Sequence, residues 1–258
     1  MGLSRRPDAT DLKHDGGSTR GSPTRLGFLV PPGNPTTEPE VFRLAPPGVT
    51  VHFHRMFLAG GEPGSHQGQE ERNRQQAQHM EESARLLAMV KPAVIAMAHT
   101  ATSYTLGKDG EAALTARIEG ATRIPFITAF GSVIAALGRL GVKRVALATP
   151  YAREWTLRGK AHLEAHGIEV ASWGHLDDVA NIYDETPERA HALARRVDVP
   201  QAQALFLSGV GMPTLDVLAR LERDLGKPVI SSCSAMVWNA LRVARVDGKV
   251  SGFGRLFD

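Results

Sequence analysis

The sequence predicts an α/β protein with two pseudo-symmetric lobes, each a mainly parallel sheet flanked by helices, and an active-site cleft between the lobes. The first observation is that short apolar runs alternate with longer helical patterns along most of the 258 residues, which is typical of βαβ units. The second is an internal repeat, in which three segments of the first half resemble three of the second. The paired segments are VIAMAHTATSYTL and ALFLSGVGMPTL, IPFITAFGSVIAALGRL and KPVISSCSAMVWNALRV, and LGFLVPPGN and RVALATPYA.

The elements of the first half follow from hydrophobic periodicity. Apolar runs bounded by turn residues predict strands at 26–30, 49–57, 93–97 and 125–128. Helical spacing predicts helices at 37–44, 69–90 and 111–120. The polar residues 98–103 are expected to form a loop after the third strand.

The second half repeats this alternation, and capping residues mark several helix ends. Thr186 followed by Pro187 is typical of a helix start, and Gly141, Gly167 and Gly226 are expected to end helices. Strands are predicted at 144–149, 168–173, 204–207 and 229–231, and helices at 131–140, 151–166, 187 onwards, 213–225 and 235–244. The first lobe is predicted to comprise 26–129 and 230–258, and the second 130–229.

Composition is typical of a globular protein. Hydrophobic residues make up 42% of the chain, and no apolar run approaches the roughly 20 residues that a membrane span needs. Residues 1–25 lack the apolar centre of a signal peptide and are predicted to be a disordered tail. The single cysteine excludes an internal disulfide and fits a reducing compartment, so we expect a cytoplasmic protein.

The net charge of +3 comes from basic residues scattered along helical segments, which predicts a solvated surface. A nucleic-acid partner would call for a clustered basic patch, so neither a nucleic acid nor a membrane is expected as a partner. A small anionic substrate is compatible with this charge. The chain contains no GxGxxG, Walker or serine-elbow motif that would indicate a nucleotide site or a serine hydrolase.

Two polar strand ends form the candidate site. In open α/β sheets, ligands bind just beyond the carboxyl ends of strands. His99 and Thr100 follow the strand at 93–97, and Ser208 and Gly209 follow the strand at 204–207. Because the internal repeat pairs these strand ends, two facing lobes would bring both to one cleft.

Six segments, in order over most of the chain, carry a resemblance to a known family. They are VPPGNPTTEPE at 30–40, HTATSYTLG at 99–107, ATPYAREW at 148–155, SGVGMPTLD at 208–216, PVISSCSAMVWNALR at 228–242 and GFGRLFD at 252–258. The chain resembles the Asp/Glu racemase superfamily, nearest its arylmalonate decarboxylase and maleate isomerase branch. The resemblance implies chemistry without a cofactor on a small carboxylate, whose oxygens are held by backbone N–H groups and hydroxyls.

The resemblance also shows where this chain departs from the family. Family racemases and isomerases carry a cysteine on both strand-end loops, and the decarboxylases keep the one on the second loop. The corresponding positions here are His99 and Gly209, so the chain lacks both family cysteines. This argues against a two-cysteine racemase and leaves a decarboxylase without its usual proton donor. Cys233, at the next strand end, is expected to be a buried core thiol.

His99 is the predicted catalytic residue, because an imidazole can donate or accept a proton near neutral pH. The alternative is a histidine that only packs at a strand end. The resemblance implies a substrate-binding set around it, each member of which also has a structural interpretation as a turn, loop or helix-start residue. The set is Pro32, Gly33, Asn34, Thr100, Ala101, Tyr151, Gly209 and Val210. No cofactor and no metal are expected.

The leading hypothesis is a cofactor-independent decarboxylase or isomerase that acts on a small dicarboxylate through an enediolate-like intermediate. A second hypothesis is a non-catalytic protein that binds small carboxylates and has lost the family cysteines. A third is a metal-assisted hydrolase, since His52 and His54 alternate onto one face of a predicted strand. The substrate, the stereochemistry and the oligomeric state are left open by the sequence.

Overall fold

The computed structural model describes residues 22–60 and 64–258. Residues 1–21 of the predicted tail therefore lie outside the described residues. The last two tail residues, Thr24 and Arg25, were assigned wrongly, because they begin the first strand and pair with Val49 and Thr50.

The first sheet has four parallel strands in the order β2-β1-β3-β4. Its elements are β1 (Thr24–Val30), α1 (Thr37–Leu44), β2 (Val49–Arg55), α2 (Gln69–Gln78), α3 (Met80–Ala88), β3 (Val94–Met97), α4 (Thr100–Thr122) and β4 (Phe126–Thr128). All four residues of β3 are buried, as expected of a central strand covered by helices on both faces.

The second sheet repeats this order as β6-β5-β7-β8, again with all strands parallel. Its elements, with the helix that enters it, are α5 (Ala129–Arg139), β5 (Arg144–Thr149), α6 (Arg153–Ala165), β6 (Glu169–His175), α7 (Pro187–Val197), β7 (Ala204–Leu207), α8 (Leu215–Leu225), β8 (Val229–Ser231) and α9 (Ser232–Val243). The two matching sheets confirm the predicted two-lobed α/β fold.

Helices α5 and α9 pack against each other and join the two halves. Helix α9 also contacts β3 and β4 of the first sheet, although the strand before it belongs to the second sheet. The predicted lobe boundary between residues 229 and 230 cuts this strand, since Ile230 and Ser231 pair with Phe206 and Leu207. The remaining lobe limits stay a prediction.

The loop predicted at 98–103 is largely wrong. Only Ala98 and His99 connect β3 to α4, and residues 100–103 form the buried first turn of that helix. Threonine and serine have modest helix propensity, but the tight strand-to-helix connection and burial outweigh it. At Gly107 the helix is interrupted by a backbone with φ 66° and ψ 178°, a conformation that essentially only glycine adopts.

The single helix predicted at 69–90 is two helices that meet at His79. Other element ends differ from the prediction by a few residues, as at α6, which begins at Arg153. No helix among the described residues is both long enough and apolar enough to cross a membrane.

Candidate functional site

The carboxyl ends of the two sheets meet, and side chains of the first half are hydrogen-bonded to the second. The Tyr104 hydroxyl lies 2.7 Å from the Ser208 hydroxyl, in a buried pair. Thr37 Oγ1 donates to the Val210 carbonyl at 3.1 Å, and Thr36 Oγ1 donates to the Gly211 carbonyl at the same distance. The loop after β1, the start of α4 and the loop after β7 therefore share one cleft.

His99 is the residue that precedes α4, and it lines a small cavity in this cleft. Its side chain is buried, and Nδ1 lies 2.7 Å from Thr102 Oγ1. Burial, and then the positive charge of Arg72, lowers the pKa of His99 to about 4. At neutral pH the ligand-free imidazole is therefore uncharged.

Thr100 and Ala101 form the first turn of α4 and are fully buried. Backbone N–H groups in the first turn of a helix have no partner within the helix, and the helix dipole favours an anion there. The Thr100 hydroxyl also has no hydrogen-bond partner among the described residues. A buried polar atom without a partner costs free energy, which a ligand oxygen at this position would recover.

The loop after β1 contributes less than expected. Pro32 lines the cavity, and Gly33 lies within the turn that the hydrogen bond from Asn34 N to the Pro31 carbonyl closes. The Asn34 Oδ1 atom accepts from Thr36 N at 2.8 Å and Thr37 N at 3.0 Å. Its amide nitrogen lies 3.5 Å from the Val210 carbonyl. In this structure the Asn34 side chain organises the start of α1 and the contact between the halves.

Gly209 lies on the second loop, with φ +97°. A Cβ atom there would lie 3.0 Å from Pro150 Cγ and 3.1 Å from the Tyr151 hydroxyl, so both the backbone and the space favour glycine. Gly209 was predicted to bind substrate, but its N–H donates to Ser232 Oγ at 3.0 Å and is not available to a ligand in this structure. The next carbonyl, of Val210, accepts from Thr37.

Tyr151 is almost completely buried beside this glycine. Burial, followed by the nearby Tyr104 and Tyr183, raises the pKa of its phenol well above the usual value, so the hydroxyl keeps its proton. Of the nine predicted site residues, only Pro32 and His99 line the small cavity directly. The other seven lie on four neighbouring segments, which are the loops after β1, β5 and β7 and the start of α4: Gly33, Asn34, Thr100, Ala101, Tyr151, Gly209 and Val210.

Sequence reasoning missed the wall of the cavity formed by α2. Four of its five buried residues line the cavity: Gln69, Arg72, Asn73 and Gln76. Asn73 Nδ2 donates to the Ala101 carbonyl at 3.2 Å and to Thr105 Oγ1 at 2.9 Å. The spacing i, i+3, i+4, i+7 was visible, but the helix is polar on every face and shows no apolar stripe that would reveal its buried side.

Tyr183 and His66 also line this cavity and were missed by sequence reasoning. Tyr183 belongs to the second half, and His66 lies in the connection between β2 and α2. Burial raises the pKa of Tyr183 to about 12. His66 Nε2 lies 3.2 Å from the Pro150 carbonyl, and burial is the main cause that lowers the pKa of His66. Both groups are therefore uncharged at neutral pH.

Glu111 holds the first turn of α4 in place. Its Oε1 accepts from the Ser103 hydroxyl at 2.7 Å and from the Thr128 hydroxyl, and its Oε2 lies 3.1 Å from His162 Nε2. Burial alone would raise the pKa of Glu111, but the hydrogen bonds from His162, Thr128 and Ser103 outweigh it and the pKa is lowered. This carboxylate connects α4, β4 and α6 behind the site.

Within the described ranges, Glu111, His162 and His166 are the one group of three side chains close enough to hold a metal ion. Because Ser103, Thr128 and His162 already satisfy the carboxylate, we interpret the cluster as a structural anchor. His52 and His54 lie on the edge strand β2, and His52 Nε2 pairs with Thr50 Oγ1 at 3.1 Å. They do not gather with His99 into a metal-binding group.

Cys233 is 1% exposed in the hydrophobic core. Burial and then the charge of the neighbouring Glu40 raise the pKa of its thiol well above the usual value. A buried neutral thiol is a poor nucleophile, in agreement with the expected core role.

Comparison with known proteins identifies relatives over almost the whole described chain. A sequence profile described as arylmalonate decarboxylase matches residues 26–257. Arylmalonate decarboxylase of Bordetella bronchiseptica is 35% identical over 180 residues, which are 68% of this chain and 75% of that protein. Maleate isomerase of Nocardia farcinica is 31% identical over 245 residues, which are 90% of this chain and 94% of that protein.

A solved structure supports the same relationship. The Nocardia farcinica maleate cis-trans isomerase, as a cysteine-to-serine variant with a covalently bound succinylcysteine intermediate, matches with a TM-score of 0.81 and 27% identity. The match covers 91% of this chain and 98% of that one. These similarities confirm the predicted branch, and they place decarboxylases and isomerases among the relatives. Since the profile spans both sheets and the cleft between them, the chain belongs to the arylmalonate decarboxylase family.

Proposed function

We propose that this chain is a cofactor-independent enzyme that decarboxylates or isomerises a small dicarboxylate through an enediolate-like intermediate. The observation that carries the proposal is the buried start of α4, where the unpartnered Thr100 hydroxyl lies next to His99. Such a helix start can stabilise the negative charge that develops on carboxylate oxygens during the reaction. The relatives named for decarboxylase and isomerase activity support the same reaction classes.

His99 is the acid or base of this proposal. A dianionic substrate beside the imidazole would raise its pKa from about 4 towards neutrality, because an opposite charge favours the protonated form. In decarboxylation, loss of CO2 leaves an electron pair delocalised over the enediolate. The imidazolium then gives its proton to the α-carbon and returns to the neutral form.

A covalent route through cysteine is not part of the proposal. The maleate isomerase structure with a succinylcysteine intermediate shows that a relative uses such a bond. The one cysteine here is Cys233, which is buried and has a raised pKa. We therefore assign proton transfer to His99, with Tyr151 and Thr100 as hydrogen-bond donors to substrate oxygens.

The second candidate function is a non-catalytic carboxylate-binding protein. The observation that favours it is the low pKa of His99. An imidazole that is neutral at pH 7 cannot donate a proton unless the bound ligand raises its pKa, and without that rise the cleft would bind a carboxylate but not protonate it. Both functions use the same cleft, so binding alone does not distinguish them.

The test combines thermal shift with product analysis by NMR, using phenylmalonate, methylmalonate and maleate. We expect one of these ligands to stabilise the protein and to be converted, and His99→Ala to lower turnover by about 100-fold or more, which is the usual contribution of a general acid or base. His52→Ala is the matched control, since His52 lies on the edge strand, and should keep full turnover. Stabilisation without conversion would support the binding protein, and full activity of His99→Ala would remove this residue from the mechanism.

A further inference from the structure

Helix α2 buries a polar face where helices usually bury an apolar one. The inward residues Gln69, Arg72, Asn73 and Gln76 are at most 9% exposed. Arg74, on the outward face, forms an ion pair with Glu70 in solvent. Burial of amides and a guanidinium is costly unless their hydrogen bonds are satisfied, so this face needs polar partners.

Some of the buried polar groups on this face of α2 lack a hydrogen-bond partner among the described residues. Gln69 Oε1 and Gln76 Oε1 are buried and have no hydrogen-bond partner among the described residues. Both side chains line the cavity that also contains His99. Asn73, between them on the same face, uses its Nδ2 group to hold the start of α4. The two unpartnered atoms are acceptors, but a glutamine amide also carries two N–H donors, and a half-turn of the terminal amide exchanges its oxygen with them. Both side chains can therefore hydrogen-bond a ligand in this cavity, including an anion, and their unpartnered oxygens indicate that such a ligand is expected.

Arg72 adds a fixed positive charge to the same cavity. Its guanidinium donates to the Ser65 and Gln67 carbonyls, which hold it in place. Its charge contributes to the lowered pKa of His99 and His66 and opposes the burial that raises the pKa of Tyr183. The guanidinium therefore acts on three of the groups that line the cavity, and an anion placed among them would be stabilised.

We propose that the inward face of α2 is a second subsite, which recognises a carboxylate-bearing, hydrogen-bonding arm of the substrate. This inference rests on the proposed function, because the start of α4 holds the reacting carboxylates and α2 holds the arm. The preferred substrates are then malonates or unsaturated dicarboxylates with a carboxylated side arm. An aryl substituent offers neither donors nor acceptors and would leave Gln69 and Gln76 unsatisfied.

The test measures the affinities of two ligands that share a malonate head, carboxymethylmalonate and phenylmalonate, by isothermal titration calorimetry. We expect the wild type to bind carboxymethylmalonate at least about tenfold more tightly than phenylmalonate. One charge-assisted hydrogen bond is enough to produce this difference. Arg72→Gln should remove most of this preference while the affinity for phenylmalonate changes by less than about threefold. Gln76→Leu should weaken carboxymethylmalonate in the same selective way, and it provides a second variant if Arg72→Gln disturbs folding.

Arg74→Gln is the matched control on the outward face of the same helix and should leave both affinities unchanged. A further readout is the pKa of His99 by NMR, which should rise in Arg72→Gln because a nearby positive charge is lost. Equal or tighter binding of phenylmalonate by the wild type, or equal weakening of both ligands by Arg72→Gln, would overturn the subsite alone. Failure of both ligands to bind the wild type would overturn the proposed function together with the subsite.

Discussion

At the scale of single residues, the low pKa of His99 links the site to stability. Its pKa falls from 6.5 to about 4 on folding. Between these two pH values His99 is therefore protonated in the unfolded chain and neutral in the folded chain. Stability therefore rises with pH across this window, and the His99 contribution is fully present above pH 6.5 and lost as the pH falls. Over the whole window the effect is about 3 kcal/mol.

We expect the free energy of unfolding of the wild type to fall more steeply between pH 7 and pH 4.5 than that of His99→Gln. Urea denaturation at several pH values measures this difference, since glutamine does not titrate. His52→Gln, on the edge strand, should follow the wild-type curve. Parallel curves for the wild type and His99→Gln would show that the imidazole is not held neutral by its surroundings.

At the scale of elements, the start of α4 depends on the carboxylate behind it. Glu111 ties Ser103 of this first turn to Thr128 at the end of β4 and to His162 of α6. We expect Glu111→Ala to lower the free energy of unfolding by about 3 kcal/mol or more, because it leaves several buried partners unsatisfied. Urea denaturation measures the loss.

Glu82→Ala provides the comparison for this substitution. Its side chain is exposed and its Oε2 lies 3.8 Å from His79 Nδ1, so the change should cost less than about 0.5 kcal/mol. If Glu111→Ala were as mild as this control, the carboxylate would not anchor the helix.

Elements were also where sequence reasoning was weakest. The Thr- and Ser-rich segment after β3 resembles a loop in composition, yet Thr100 to Ser103 are helical and buried. The connection of only two residues and the support from Glu111 are tertiary facts that no local pattern contains. The buried face of α2 was missed for a different reason, because both its inner and its outer face are mainly polar and no apolar stripe distinguishes them.

At the scale of the whole molecule, sequence reasoning succeeded because the fold is a repeat. The paired segments around residues 94 and 204 predicted two equivalent strands, and these strands occupy the same place in two sheets of identical order. Long-range contacts between the halves could not be predicted in this way. The buried pair of Tyr104 and Ser208, for example, joins residues 104 positions apart.

That buried pair provides a test of how the halves are coupled. We expect Tyr104→Phe to lower the free energy of unfolding by about 1–2 kcal/mol, since the Ser208 hydroxyl loses its partner. In a double-mutant cycle with Ser208→Ala, the second change should cost less in the Tyr104→Phe background than in the wild type. Urea denaturation followed by near- and far-UV circular dichroism measures the cycle, and strictly additive losses would contradict a direct interaction.

The contact between the loop after β1 and the loop after β7 has an unequal form. Thr36 and Thr37 donate through their side-chain hydroxyls, whereas the second loop accepts through the backbone carbonyls of Gly211 and Val210. A carbonyl is present whatever residue carries it, but a hydroxyl is not. For this contact, therefore, the requirement for particular side chains falls on the first half alone. Mutations that remove the Thr37 hydroxyl would weaken the contact between the halves. Position 210 can accept any side chain that fits its buried site, because the hydrogen bond from Thr37 uses only the backbone carbonyl.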